Sequence, residues 1–461
     1  MLAAGLRLAS PAVHRELALL RRAEFDRGAL DRLHEERLSA LLRHAWATTD
    51  HYREVLGDLR VVRDGGAAVD LSRFGDVPFL TKDVIRENFD RLTSKALPGG
   101  RRVRVNNTSG STGQPSRFLQ DSRYWDVNVT TKTFRFGWFG KRLGDRELKL
   151  WGSEHDLLKG REGLGPRLAG WLYNRRPERC FVLPEGRVRA IVRTIDAYRP
   201  ASIWAYRDGI DVVAHHVNRH GLRVHRPRAI FVGNGTVYPH VVEQVGRAFG
   251  GAPVVNLYGS RETGDVACQC PELGGLHLST NAHRVEVVGP DGRPAVLGEE
   301  GELAITSLHN YAMPFVRYRI GDRARALTGP CPCGRAFPLI GAVSGRVAER
   351  LVNARGDGVD PLFLIHTMAQ MSEGCRVRRF QVVQEAPDRL TFNIVLVDGA
   401  GRAPVEARLP GVTRDVRVVM GQACRVDFRF VDAIPLTASG KHPYIVRREG
   451  VRGPAEPAVA A

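Results

Sequence analysis

Residues 12–58 carry apolar side chains at three- and four-residue spacing, first in "VHRELALLRRAEF" and again in "RLHEERLSALLRHAWATT". That is the helical period, and the segment reads as helix. "VPFLTKDVIRENF" opens as strand or turn and continues as a helix with Thr81 at its N-cap. Between 120 and 250 short apolar runs ("LKLWG", "RAIFVGNG") alternate with helical stretches ("RVRAIVRTIDAY", "GIDVVAHHVNRHG", "PHVVEQVGRAFG"). The alternation predicts βα units and a largely parallel sheet. Over 280–340 the pattern changes to strands joined by Gly/Asp/Pro turns, as in "RVEVVGPDGRPAVLGEEGELAITSL", which predicts an antiparallel region. A new unit begins near Ser344, with a hairpin in "RRFQVVQEAPDRLTFNIVLVDG", a strand in "CRVDFRFVDAIP" and a Pro/Ala tail at 453–461.

A chain of 461 residues exceeds one ordinary domain, so a large domain followed by a smaller one is expected. With 43% hydrophobic and 26% charged residues the composition is that of a globular protein. No apolar run approaches the ~18 residues of a membrane span. The start, "MLAAGLRLASPAVHREL", lacks a basic region ahead of a solid apolar core, which argues against a signal peptide and for the cytoplasm. The net charge of +18 is spread along the chain and not clustered with aromatics. Nucleic-acid binding is therefore weakly supported, and acidic ligands such as nucleotides, or an acidic carrier partner, fit the charge equally well. Arginine dominates the basic residues; the lysines are Lys82, Lys95, Lys132, Lys141, Lys149, Lys159 and Lys441. Seven cysteines with two C-x-C pairs point to a metal and away from a disulfide framework.

Five stretches carry candidate chemistry. "NNTSGSTGQPSRFLQD" (106–121) is rich in glycine and hydroxyl groups and lies between strand-like flanks. Gly110 and Gly113 allow close backbone approach, so successive N–H groups can cradle an anion. A solvated Gly/Ser loop satisfies the same residues. "NLYGSRETGDV" (256–266) follows a strand; Tyr258 offers a flat face for a base and Glu262 an oxygen for Mg²⁺. A turn with a surface glutamate is the alternative. In "PFVRYRIGDRAR" (314–325) a turn at Gly321-Asp322 offers either a capping aspartate or an acceptor for ribose hydroxyls. "SGRVAERLVNARGDGVDP" (344–361) holds turns around Arg346 and Arg355-Gly356, or is a linker. "AIPLTASGKHPYIV" (433–446) contains Lys441, the sole lysine after Lys159. A compact ammonium does what a planar guanidinium cannot.

In this order the motifs resemble the adenylate-forming superfamily of acyl-CoA synthetases, luciferases and peptide-synthetase adenylation domains. "TSGSTGQP", "YGSRETG", "MPFVRYRIGD", "CPCGR" and "GR…ARG" are similar to the phenylacetate–CoA ligase and CapK-like branch, over roughly residues 75–445. The resemblance implies an α/β fold: an N-terminal adenylation domain (1–345) with mixed sheets and helices, and a small mobile α+β domain (346–461) carrying Lys441. It implies that a carboxylate attacks the α-phosphorus of ATP, and that a nucleophile then displaces AMP. Thr108, Ser109, Gly110, Ser111, Thr112 and Gly113 would hold the β- and γ-phosphates. Tyr258 would pack on adenine, with Asn234, Gly259 and Arg261 also at the nucleotide. Glu262 would reach Mg²⁺, Asp322 and Arg346 the ribose hydroxyls, and Lys441 would bridge the substrate carboxylate and the α-phosphate. The domains would rotate about a hinge near Val347–Glu349. Departures are Ser116 in place of a lysine, Arg261 in place of a Thr or Ser, Gly235 in place of an acidic residue, and Ala348 at the hinge.

Thiolate and imidazole suit a tetrahedral structural Zn²⁺. Cys270, His277, Cys331 and Cys333 are the preferred set, with Cys268 as a spare, against unligated buried thiols. The expected activity is that of an AMP-forming ligase, using ATP, Mg²⁺ and coenzyme A to activate a small, aromatic carboxylic acid. The alternative acceptor is an amine, another nitrogen nucleophile or a carrier-protein thiol; a non-catalytic nucleotide-binding protein would need neither Lys441 nor Glu262. The acid pocket is expected to draw on Tyr124, Trp125, Phe136, Trp138, His155, Trp204 and Tyr206. No nucleic acid or membrane partner is expected, and a dimer is compatible with the sequence.

Overall fold

The computed structural model describes residues 11–107, 116–151, 174–180, 183–327, 329–346, 351–356, 358–359, 364, 368, 377–397, 401–435, 442–448 and 451. The expected phosphate loop (108–113), His155, the hinge at Val347–Glu349, Lys441 and the tail at 453–461 lie outside the described residues, as does the side chain of Arg346. The chain divides into two compact units, Met1–Ile320 with Ala324–Val343, and Gly321–Arg323 with Ser344–Ala461.

The first unit opens with three helices, Pro11–Ala23 (α1), Arg27–Thr48 (α2) and Asp50–Asp58 (α3). The spacing of Val13, Leu17 and Leu20 puts them on one buried face of α1. The Asp26 carboxylate caps α2, accepting from Ala29 N at 2.9 Å. Thr81 caps Lys82–Glu87 (α4) as predicted, accepting from Val84 N. The flanks of the expected phosphate loop are strands: Val103–Asn107 (β1) and Arg117–Asp121 (β2) pair antiparallel.

Next come the helix Ser122–Gly137 (α5) and the strands Glu147–Leu150 (β3) and Arg175–Glu178 (β4). Glu185–Tyr198 (α6), Ser202–Tyr206 (β5), Arg207–Arg219 (α7), Ala229–Gly233 (β6), Pro239–Ala248 (α8) and Val254–Ser260 (β7) continue the alternation. The meander follows: Gly264–Gln269 (β8), Leu276–Leu278 (β9), His283–Val288 (β10), Glu300–Ser307 (β11), Tyr318–Ala326 (β12) and Leu339–Arg346 (β13). The sequence separates a parallel sheet from an antiparallel region, whereas the structure joins them in one 11-stranded sheet ordered β10-β11-β12-β13-β9-β8-β7-β6-β5-β3-β4. β4, β3, β5, β6 and β7 run parallel, and β7, β8, β9 and β13 pair antiparallel. All five residues of β6 are buried, as befits a strand covered on both faces.

One local expectation fails. Gly321-Asp322 makes no chain-reversing turn: β12 runs on to Ala326, with Gly321 at φ +86 inside it. The left-handed residue is accommodated within an extended strand, as glycine allows.

The second unit holds a four-stranded sheet of Val377–Ala386 (β14), Arg389–Leu396 (β15), Arg425–Phe430 (β16) and Ile445–Arg447 (β17), ordered β16-β15-β14-β17. β14 and β15 are the predicted hairpin, antiparallel from Val377↔Leu396 to Ala386↔Arg389. Leu409–Met420 (α9) buries Val412, Val416 and Met420 at four-residue spacing.

Candidate active site

The β7–β8 turn is held from beneath on several sides. The Ser260 hydroxyl accepts from the amides of Glu262 and Thr263, both at 3.1 Å. The Arg261 carbonyl accepts from Gln120 Nε2 at 2.8 Å and from the Tyr124 hydroxyl at 3.0 Å. The Thr263 carbonyl meets His283 Nε2 at 2.7 Å, so that nitrogen carries the proton. Burial pushes His283 down to about 4 and keeps the ring neutral. His309, fully buried and well below the usual histidine range for the same reason, donates from Nδ1 to the Ala282 carbonyl. Its Nε2 then accepts from Asn128 Nδ2 at 3.3 Å, and Asn128 Oδ1 accepts from Asp265 N at 2.9 Å.

This frame dictates two glycines. A Cβ on Gly264, at φ +84, would fall 1.9 Å from Asn128 Oδ1, and one on Gly259 would fall 2.2 Å from the Gly264 carbonyl oxygen. Gly259 therefore serves close strand approach, not the turn the sequence suggests, because β7 continues through it to Ser260. Glu262 is held at 9% exposure, and no described side chain pairs with its carboxylate. Tyr258 is partly buried against the core formed by the N-terminal helices and the meander.

Asp121 is the deeper anchor. Its fully buried carboxylate caps α5 through Tyr124 N at 3.0 Å, accepts from Tyr311 N at 3.0 Å and pairs with Arg101 at 3.1 Å. Asn310 Oδ1 accepts from Asp121 N in return. The sequence reading missed Gln120, Asp121, Asn128, His283, His309 and Asn310; the available signal was "HN" at 309–310 set between Leu308 and Met313. Asn234 is left-handed at φ 65 in the loop after β6. Beside it a Cβ on Gly235 would lie 3.2 Å from Arg207 Nε, so a buried arginine occupies the space a side chain there would need.

Of the expected pocket residues, Trp204 and Tyr206 come together. Trp151 bridges them, with ring centroids at 4.6 Å from Trp204 and 4.0 Å from Tyr206. Two lysines bind this cluster: Lys132 Nζ lies 3.8 Å from the Trp204 ring centroid and 3.1 Å from Asp265, and Lys149 Nζ 4.2 Å from Trp204. The strand register aligns Lys149, Trp204 and Phe231, and α5 carries Asn128, Lys132 and Phe136 one turn apart, so the cluster adjoins the turn frame. The others sit elsewhere. The Tyr124 hydroxyl is taken up by the turn, Trp125 packs edge-on to Tyr124, and Phe136 stacks on Phe231 at 3.6 Å in the core. Trp138 stands edge-on to His277 at 5.5 Å, beneath Arg135. Asp322 lies partly buried in β12, and Arg346 ends β13.

Near Trp138 the structure gathers the four expected metal ligands: one ligand atom each from Cys270, His277, Cys331 and Cys333, all within 4.8 Å of one another. Cys270 Sγ is 3.4 Å from Cys331 Sγ, and His277 Nε2 is 3.3 Å from Cys333 Sγ. His277 Nδ1 donates to the Phe337 carbonyl at 2.8 Å, which leaves Nε2 unprotonated and facing the sulfurs. Burial pushes His277 down to about 4, the neutral form a metal requires. The amides of Glu272 and Leu273 donate to Cys270 Sγ at 3.4 and 3.3 Å. Cys268 is no substitute: it points into an apolar cluster with Phe136 and Phe231, and burial pushes its thiol up to about 12.

In the second unit the residues after Lys441 are fixed. His442 is buried with Nε2 donating to the Phe380 carbonyl at 2.7 Å, and Val382 N donates to Tyr444 O at 2.7 Å.

A family model of the CapK C-terminal domain matches residues 351–448. The phenylacetate–coenzyme A ligase of Aromatoleum evansii is 26% identical over 429 residues, covering 90% of this chain and 93% of its own. Protein CapK of Staphylococcus aureus is 20% identical over 421 residues, covering 90% and 88%. The fold matches a 2-hydroxyisobutyryl-CoA ligase solved in the postadenylation state with an acyl-AMP, at a TM-score of 0.74, 20% identity and coverage of 93% and 92%. Over most of its length the chain is similar in sequence and in fold to adenylate-forming ligases. These relatives are phenylacetate–CoA ligases and CapK, the branch that the motifs resemble, and the expected class of AMP-forming ligase agrees with them. No helix among the described residues is long and apolar enough to cross a membrane.

Proposed function

We propose that this adenylate-forming chain activates a small carboxylic acid with ATP and transfers the acyl group to coenzyme A. One observation carries the reading: Glu262, a residue 9% exposed and with no described partner on its carboxylate, stands just past the end of the parallel strands. A carboxylate at that place suits a hard divalent ion. Glu262 would hold Mg²⁺, which would draw charge from the ATP phosphates. The acid's carboxylate oxygen attacks the α-phosphorus and the bond to the pyrophosphate oxygen breaks. A thiol sulfur then attacks the acyl carbon, AMP leaves, and the thiol proton passes to solvent.

The loop 108–113 would hold the β- and γ-phosphates, Tyr258 and Asn234 would face the base, and Asp322 and Arg346 the ribose. Lys441 would neutralise the α-phosphate and the attacking carboxylate. We place the acid beside Trp204, Tyr206 and Trp151; these rings favour an aromatic acid, and Lys132 favours one with a second polar group. The division at 345/346 remains the working domain boundary. Cys270, His277, Cys331 and Cys333 would hold Zn²⁺. Two thiolates on one tetrahedral zinc lie about 3.8 Å apart, given Zn–S of about 2.3 Å, close to the 3.4 Å between Cys270 and Cys331.

Pyrophosphate exchange over a panel of carboxylic acids tests the first step, with exchange expected for a small set of acids and none of them overturning the reading. Supplying CoA or amines and weighing the product by mass spectrometry tests the second; an amide in place of a thioester would assign the nitrogen acceptor.

A further inference from the structure

A second group of metal-ligating side chains lies on the outer face of the parallel sheet's helices. Glu185 begins α6, His216 is in the last turn of α7, and His220 is the C-cap of α7. Residues four apart share one helix face, so the two imidazoles stand together, with ring centroids 4.5 Å apart. One ligand atom from each of the three lies within 4.8 Å of the others. We propose that Glu185, His216 and His220 form a solvent-facing site for a borderline divalent transition-metal ion such as Zn²⁺, Ni²⁺ or Cu²⁺.

Imidazole with one carboxylate favours these ions over Mg²⁺ or Ca²⁺. Two ligands on one such ion lie about 3.4 Å apart, given bonds of about 2.1 Å, so side-chain rotation alone closes the site. The charged neighbours are Arg189 and Arg219, with Glu185 and His220 themselves. Arg189 pairs with Glu185 at 3.2 Å, but both side chains are about 60% exposed, and such a pair contributes little that a metal bond would not replace. Three protein ligands leave a fourth position for water or a donor from another molecule. The bound ion would join the first turn of α6 to the last turn of α7, so it would stabilise the native chain by mass action.

The test titrates the whole protein, as purified, with Co²⁺, Ni²⁺ and Cu²⁺ by calorimetry at neutral pH. One equivalent is expected, tightening in that order, without a thiolate charge-transfer band and with a rise in melting temperature. His216→Gln and His220→Gln should each weaken it roughly tenfold or more, with Glu185→Gln intermediate, while ligase activity is unchanged. Metal-free melting temperatures and circular dichroism confirm that the variants fold. Unchanged uptake in the His216→Gln/His220→Gln double variant, or no Ni²⁺ uptake up to about 1 mM, overturns the proposal.

Discussion

Glu262 is 9% exposed and no described side chain pairs with its carboxylate. Glu262→Gln removes the charge and keeps the shape. We expect adenylation, read by pyrophosphate exchange, to fall by about two to three orders of magnitude, with the melting temperature unchanged or higher. A variant that exchanges at the wild-type rate would deny Glu262 any part in the reaction. His283 titrates in the same frame. Its folded pKa of about 4 lies below its ordinary 6.5, so the native state binds fewer protons than the unfolded chain between those values. Stability therefore rises with pH through that window and is lost as pH falls from 6.5 towards 4. His283→Gln retains a donor for the Thr263 carbonyl without a titrating ring. Its acid-unfolding slope should be shallower by about one proton per molecule, and an unaltered slope would show that this ring does not couple folding to pH. Lys132, over Trp204 and beside Asp265, should matter to the acid but not to ATP. Lys132→Met is expected to raise KM for the acid about tenfold or more with KM for ATP little changed; the reverse split would move the acid pocket elsewhere.

The elements were legible in proportion to how far local pattern decided them. The 3.6-residue period gave the N-terminal helices, the βα alternation gave the parallel strands, and turn residues gave the β14–β15 hairpin, because in each the buried face is written into consecutive residues. The merging of parallel strands and meander into one sheet was not legible, since β9–β13 pairing joins Leu276 to Ile340 across 64 residues. The turn frame was hidden for the same reason. Asn128, Gln120 and His283 meet the turn from three elements, and each reads singly as an ordinary polar residue. Scarcity of lysine was a usable signal applied too narrowly: it singled out Lys441, yet Lys132 and Lys149 flank Trp204. The convergence of Cys270, His277, Cys331 and Cys333 was legible from the residue types and their two C-x-C pairs. A metal bound there would clip β8 and β9 to the segment entering β13, and its binding free energy would also be folding free energy. Cys331→Ser should lower zinc content and melting temperature together, with activity per folded molecule retained. A stable Cys331→Ser variant with slow chemistry would make the metal catalytic, and stoichiometric absence of zinc after chelator-free purification would remove the site.

At the scale of the whole molecule, the proposed reaction divides between the two units. Glu262 and the aromatic cluster belong to the first unit and Lys441 to the second, where the described residues His442, Pro443 and Tyr444 are hydrogen-bonded to β14. Adenylation builds negative charge around the α-phosphorus, where an ammonium lowers the barrier by stabilising it. Thioester formation takes place at the acyl carbon and asks less of that cation. Lys441→Ala should therefore nearly abolish pyrophosphate exchange while leaving the fold intact, and Lys441→Arg should also be poor, because a planar fork does not replace a compact ammonium. Supplied with a preformed acyl-adenylate, the Lys441→Ala protein should transfer the acyl group to CoA far better than it makes the adenylate. Equal losses in the two half-reactions would mean that one arrangement of the units serves both steps. Unchanged exchange in a folded Lys441→Ala protein would take the catalytic role from the lysine altogether.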